Sequence, residues 1–272
     1  CWNGQRNRVF YLNFTHCEGD TMNTNRKIAV AIMVLSVILA AWLYGTEYYT
    51  SSNPDKIEDT LTAYISGDDI RTGTGSSPQL FVFHDLKAEV VQTKKIGNSM
   101  IVLFTDGKLD NFLGLARFKR GLNFKWRPIA ANYGPGVGGS RDFSFTIGKK
   151  RYVAICGVNI DPRVEYYEYV TTDANPVVLH SNTVSEPSFM DIYEFETGYW
   201  PTLRLIDSSG NDIAPELHKL HDQSAPSAGV GTAELFMINV FCGLILFVGY
   251  IIARYYWTSE PQSKEQKKDI CI

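Results

Sequence analysis

The stretch IAVAIMVLSVILAAWLY, residues Ile28 to Tyr44, carries no charge, and a second uncharged stretch, LFMINVFCGLILFVGYIIA, runs from Leu235 to Ala253. A hydrocarbon core takes about 17–25 residues of helix at ~1.5 Å rise, so each run is long enough to cross a bilayer. Lipid offers no water to the peptide groups, and an isolated apolar run must therefore close its hydrogen bonds within itself, as a helix. The expected organisation follows: a cytoplasmic stub over 22–27, a transmembrane helix over 28–45, an extracytoplasmic domain over 46–232, a second transmembrane helix over 233–253 and a cytoplasmic tail over 254–272.

The flanks set the expected orientation. Arg26 and Lys27 precede the first run and Arg254, Lys264, Lys267 and Lys268 follow the second, whereas Glu47, Asp55, Glu58 and Asp59 open the segment between them. The positive-inside rule puts both termini in the cytoplasm of a two-pass cell-membrane protein. The first run ends in Trp42, Tyr44, Tyr48 and Tyr49, which suit an interfacial belt better than a signal-peptide cleavage site, so an uncleaved anchor is expected. The first methionine is Met22, and the codons open to Cys17-Glu18-Gly19-Asp20-Thr21 include a purine-rich ribosome-binding tract. Residues 1–21 are accordingly read as upstream sequence with no structural role.

A net charge of −3 without a basic stripe gives no electrostatic case for nucleic acid, and no nucleic-acid partner is expected. Of the five cysteines, Cys1, Cys17, Cys156, Cys242 and Cys271, only Cys156 falls in the central segment, so no disulfide forms within it. A disulfide-free surface domain of this size points to a bacterial envelope. Asn53-Pro54-Asp55 starts a helix that carries Ile57, Leu61, Tyr64 and Ile65 at helical spacing. From Gln79 to Ile206 short β-rich runs alternate with turn signals such as Asp106-Gly107, Gly121-Leu122-Asn123 and Gly148-Lys149-Lys150. The fold class is α+β, a mostly antiparallel β outer domain with one or two helices, flanked by two transmembrane α-helices. The polar segment Glu216 to Gly231 reads as a stalk.

The stretch SMIVLFTDGKLDNFLGLARFKRGLNFKWRPIAANYGPG (residues 99–136), followed by KKRYVAICGVN (149–159), resembles the outer domain of small uncharacterised membrane proteins and lipoproteins of spore-forming Gram-positive bacteria. An aliphatic strand, an RGLN hairpin and a later strand ending in G-x-N carry the likeness, over about residues 87–160. It implies an envelope location and carries no activity over to this chain.

Gly134, Gly136 and Gly139 match GxGxxG, but the run leads into a strand where a dinucleotide site needs a helix, so it reads as a flexible inter-strand loop. His218 and His221 beside Asp222 lack a third ligand and read as solvated. Cys156, in an apolar strand, reads as a buried small hydrophobe. Asp191, Glu194 and Glu196 lie on one candidate strand, where Glu194 and Glu196 share a face, and exposed strand carboxylates are commoner than acid/base pairs. No catalytic, cofactor or metal residue is expected. Tyr166, Tyr167 and Tyr169 in VEYYEYV, with Trp200, are the candidate contact residues for a ligand or partner. Ser36 and Ala40 on the first span and Asn239 and Gly243 on the second are the candidate helix-packing residues. The expected function is a non-enzymatic, membrane-anchored binding, sensing or accessory module of the bacterial envelope, whose partners are the lipid bilayer and another membrane protein or envelope component. An envelope hydrolase and a small subunit of a transport or export complex stand as alternatives.

Overall fold

The computed structural model of the chain describes residues 24–66, 86–107, 112–172, 175–195, 201–218, 227–229 and 232–259. The expected upstream segment 1–21, the candidate strand Gln79 to His84 and most of the tail lie outside these residues. The chain is α+β, with antiparallel sheets in its middle and, towards each end, a helix long and apolar enough to span a membrane. It divides into two compact units, Trp42–Val240 and Cys1–Ala41 with Phe241–Ile272.

Helix α1 (Thr24–Glu47) is followed by α2 (Pro54–Ser66). Asn53 caps α2, its Oδ1 accepting the Asp55 N–H at 3.2 Å, and Pro54 suits the first helical position because its missing N–H has no partner there anyway. The next strands are β1 (Ala88–Ile96), β2 (Ser99–Asp106), β3 (Phe112–Arg120) and β4 (Trp126–Pro135), then β5 (Ser140–Ile147) and β6 (Lys150–Val158). After these come β7 (Val164–Thr171), β8 (Val178–Thr183), β9 (Ser188–Phe195) and β10 (Pro201–Asp207), the short helix α3 (Ala214–His218), β11 (Ser227–Gly229) and α4 (Thr232–Thr258). They make three antiparallel sheets, ordered β1-β2-β3-β4-β11, β5-β6-β9 and β10-β7-β8.

The sheets stack because their strands are apolar on both faces. On β2, Met100, Val102 and Phe104 point one way and Ile101 and Leu103 the other, and none is more than 1 % exposed. The first set packs with Phe118, Ala131 and Tyr133 against Ile57, Leu61, Tyr64 and Ile65 of α2. The second meets Phe143, Ala154, Cys156 and Met190 of the second sheet. Strand β6 repeats the arrangement, since Val153 and Ile155 on its far face join Tyr167, Tyr169 and Leu205 of the third sheet with Ile213 just before α3 and Leu217 within it. Each large aliphatic side chain so buried contributes roughly 1.5–3 kcal/mol.

Three segments differ from the sequence reading. Strand β8 carries mostly exposed residues and no apolar alternation, and it is recruited by backbone pairing with β7. Within the expected stalk, Ser227–Gly229 pairs with Ala130 to Asn132 as an edge strand. The glycine-rich run is a tight turn rather than a flexible loop. Val137 and Ser140 exchange backbone bonds of 2.7 and 2.9 Å around Gly138 (φ 54°) and Gly139 (φ 78°), both left-handed as a two-residue turn closed by such a pair requires.

In the unit formed by the chain ends, Ser36 packs on Gly249, where an added Cβ would lie 2.0 Å from the serine Oγ. The Cys242 thiol donates to the Ala40 carbonyl at 3.6 Å, and the Arg26 guanidinium lies 5.4 Å from the centre of the Trp257 ring. Gly243 has open space around it, so Gly249 and not Gly243 takes the close approach. Gly249→Leu is expected to part the helices, read as loss of the cross-link that a bismaleimide otherwise makes between Arg26→Cys and Trp257→Cys. Gly114→Ala is expected to destabilise the domain by about 2 kcal/mol in urea unfolding, because its methyl would sit 2.1 Å from the Phe104 ring.

Candidate functional site

Between the first and second sheets lies a cleft of about 320 Å³, lined by Leu115 and Arg117 of β3, Ala130 and Asn132 of β4, and Phe143 to Thr146 of β5. Strand alternation builds it. Leu113, Leu115 and Arg117 share the face of β3 that meets the second sheet, so the chain buries two leucines and then points an arginine into the same layer. Arg117 Nη1 donates to the Thr146 carbonyl. Its Nε is buried without a hydrogen-bond partner, and burial holds the guanidinium below its usual pKa. Among the described residues no carboxylate pairs with it. On β5, two residues before Phe143, Arg141 lies 5.2 Å from the Phe143 ring centre, and its Nη1 is also buried without a partner. Burial lowers its pKa too, opposed by the neighbouring Asp142. The wall therefore offers a guanidinium, an amide and the hydroxyls of Ser144 and Thr146 beside two phenylalanine rings. It contains no carboxylate, imidazole or thiol.

The tyrosine run of β7 does something else. Tyr167 and Tyr169 are 1 % and 3 % exposed, which removes them as ligand-contact surface. Their rings fill the space between the second and third sheets, and a buried phenol needs an acceptor. The Tyr169 hydroxyl donates to Asp142 at 3.1 Å and the Tyr167 hydroxyl to Asp191 at 2.7 Å. Tyr193 lies 2.7 Å from the Tyr167 oxygen and must donate, since Tyr167 has already given its one proton. Asn182 adds a bond of 3.0 Å to Asp191, and His180 stacks on Tyr193 at 3.7 Å. Burial first, and the bond to the Asp191 carboxylate with it, push the Tyr167 phenol far above its usual pKa, so it stays a donor. Burial lowers His180. Tyr166, on the opposite face of β7, is half-buried.

Trp200, Glu196, His221 and Asp222 lie outside the described residues, as does the side chain of His218. Glu194 is exposed and paired with Lys150 at 2.8 Å, and Asp191 is committed to the tyrosines, so these two described carboxylates do not converge. Cys156 is fully buried, and burial raises its thiol well above the usual range. Ser36 and Ala40 lie in the helix contact, while Asn239 is exposed on α4. Among the described residues no group of His, Cys, Asp and Glu is placed to hold a metal ion. Arg117 was not singled out by the sequence reading, although a lone charge in phase with Leu113 and Leu115 is a visible signal. The chain matches no protein-family model, no curated protein and no solved structure.

Removing the Tyr167 hydroxyl takes a donor from a half-buried carboxylate. Tyr167→Phe is expected to destabilise the domain by about 1–2 kcal/mol in chemical denaturation. His180 contributes in the other direction of titration. Its folded-state pKa is depressed, so its contribution is complete above the unfolded value of about 6.5 and is lost as pH falls through the folded value. The acid-induced drop in melting temperature just below pH 6.5 is expected to be smaller in His180→Phe.

Proposed function

We propose that this chain is a two-pass protein of a bacterial cell membrane, with both termini in the cytoplasm, whose central domain binds a small anion-bearing ligand in the Arg117 cleft as a binding or sensing module of the envelope. The observation that carries the reading is the half-buried Arg117 guanidinium, with an unpartnered Nε, in a cleft wall that has no carboxylate. Burying a charge costs several kcal/mol unless an opposite charge and hydrogen bonds offset it. A carboxylate or phosphate entering the cleft supplies both, and Asn132, Ser144 and Thr146 are at hand for its remaining oxygens. Leu115, Phe143 and Phe145 suit an apolar body on the same ligand. The lining has no carboxylate, imidazole or thiol to act as general base to its Ser144 and Thr146 hydroxyls, which favours binding over hydrolysis. The basic residues Arg26 and Lys27 before one span and Arg254 after the other support the orientation.

The test is thermal unfolding of the full chain in mild detergent against inorganic phosphate, sulfate and carboxylates of increasing chain length. One anion class is expected to stabilise with the logarithmic concentration dependence of binding at a single site, by about 2.7 kcal/mol at a hundredfold excess over Kd. Arg117→Met should abolish that gain while leaving the ligand-free protein at least as stable as the parent. A ligand-free Arg117→Met protein that is strongly destabilised, or no shift that depends on Arg117 with any anion, contradicts the reading.

A further inference from the structure

The turn between β3 and β4 has a composition that folding does not explain. Leu122 and Phe124 are 84 % and 72 % exposed. Phe124 also holds φ at 61°, a left-handed backbone in which an aromatic residue is strained and glycine is not. Neither packing nor backbone preference therefore selects phenylalanine there. Lys119, Arg120 and Lys125, all exposed, flank the two apolar residues in sequence, and Lys95 has its ammonium 5.8 Å from the centre of the Trp126 ring. Arg120 lies 4.9 Å from the Phe124 ring centre and 5.9 Å from that of Trp126. None of these four cations pairs with a carboxylate among the described residues. The loop is nonetheless built firmly: Gly121 N–H donates to the Lys125 carbonyl at 2.8 Å, Phe124 N–H to the Gly121 carbonyl at 3.1 Å, and Lys125 N–H to Asn123 Oδ1 at 3.1 Å.

The loop is also tied to one place along the chain. Leu122 N–H donates to the Tyr44 hydroxyl at 3.1 Å, Asn123 Nδ2 donates to the Tyr48 carbonyl at 2.8 Å, and a Cβ on Gly121 would strike the Tyr48 ring at 2.6 Å. Tyr44 is the last residue of the uncharged run that begins at Ile28, and Trp42, two residues earlier, is 67 % exposed. These contacts pin the loop beside the point where the chain leaves the apolar run.

We propose that the Gly121–Lys125 turn is a membrane-docking element, with Leu122 and Phe124 entering the interfacial layer and Lys95, Lys119, Arg120 and Lys125 meeting anionic headgroups. Exposed apolar side chains flanked by unpaired cations match that layer in both respects, and aromatic and basic residues concentrate there. A protein partner would have to supply an acidic, apolar-floored surface beside a transmembrane helix, whereas an anionic bilayer is already present. The proposal rests on the membrane-anchored reading and is independent of the Arg117 cleft.

The experiment places the environment-sensitive fluorophore NBD at Leu122→Cys in the full chain, with Cys1, Cys17, Cys242 and Cys271 changed to Ser and buried Cys156 retained. The labelled chain is reconstituted into phosphatidylcholine vesicles with and without phosphatidylglycerol. Emission is expected to be blue-shifted on the anionic vesicles, less so on the neutral ones, and water-like for a control label at Glu186→Cys. Arg120→Gln and Lys125→Gln should each lower the docked-to-undocked ratio about fivefold. Phe124→Gly, which suits the left-handed backbone and keeps the fold, should also return the emission toward its value in water. Water-like emission from position 122 on both lipids overturns the docking and leaves the anchoring intact. A blue shift that disappears when the chain is diluted in lipid assigns the turn to contact between copies and overturns it as well. A chain that does not float with the vesicles overturns anchoring and docking together.

Discussion

Burial of the second sheet on both faces is the constraint on which the central domain depends. Strand β6 runs Val153, Ala154, Ile155, Cys156 with each residue no more than 1 % exposed, so it is stable only if something apolar covers it on either side. The first sheet covers one face and the third sheet with α3 covers the other. The first sheet faces the same demand, which α2 meets on its outer side. A domain without a disulfide is held in this way by successive apolar layers, each completed by the next. The tyrosine–aspartate pairs follow from the same stacking, because phenols between two sheets need acceptors, and Asp142 and Asp191 supply them.

Against that background Arg117 and Arg141 are exceptions. By contrast the buried Arg127 is matched, its guanidinium meeting Glu47 at 2.8 Å. Two guanidiniums at the junction of the first two sheets have buried nitrogen atoms without partners, and one of them lines the cleft. Local rules are commonly broken where a protein binds something, and such a departure is more informative than the cleft alone.

The features legible in the sequence were those with a long or periodic signal. The two uncharged runs correspond to α1 and α4, and the 3.6-residue spacing of Ile57, Leu61 and Tyr64 marked α2 to its cap. Strand β7 appears with the bounds its composition suggested, Val164–Thr171, and most other strands shift by a few residues at their ends. Strands β8 and β11 were illegible because backbone pairing with a neighbour, rather than an apolar face, makes them strands. The order of layers was not written in any one segment, although the unbroken apolar runs of β2 and β6 signal burial on both sides. The tyrosines were misread as surface because the carboxylates that take their hydroxyls lie 24 and 27 residues away. Ser36 and Ala40 were legible as a packing face, while the choice of Gly249 over Gly243 depends on the azimuth of the partner helix.

The functional account turns on which side of the membrane the domain occupies. The direct measurement is labelling of intact cells with a membrane-impermeant maleimide, using full chains that carry one accessible cysteine, at Glu186→Cys in the domain or at Lys27→Cys before the first apolar run. Labelling of position 186 in intact cells, with position 27 labelled only after permeabilisation, is the result predicted. Labelling of position 27 in intact cells, with position 186 protected until permeabilisation, would place the domain in the cytoplasm and contradict the account.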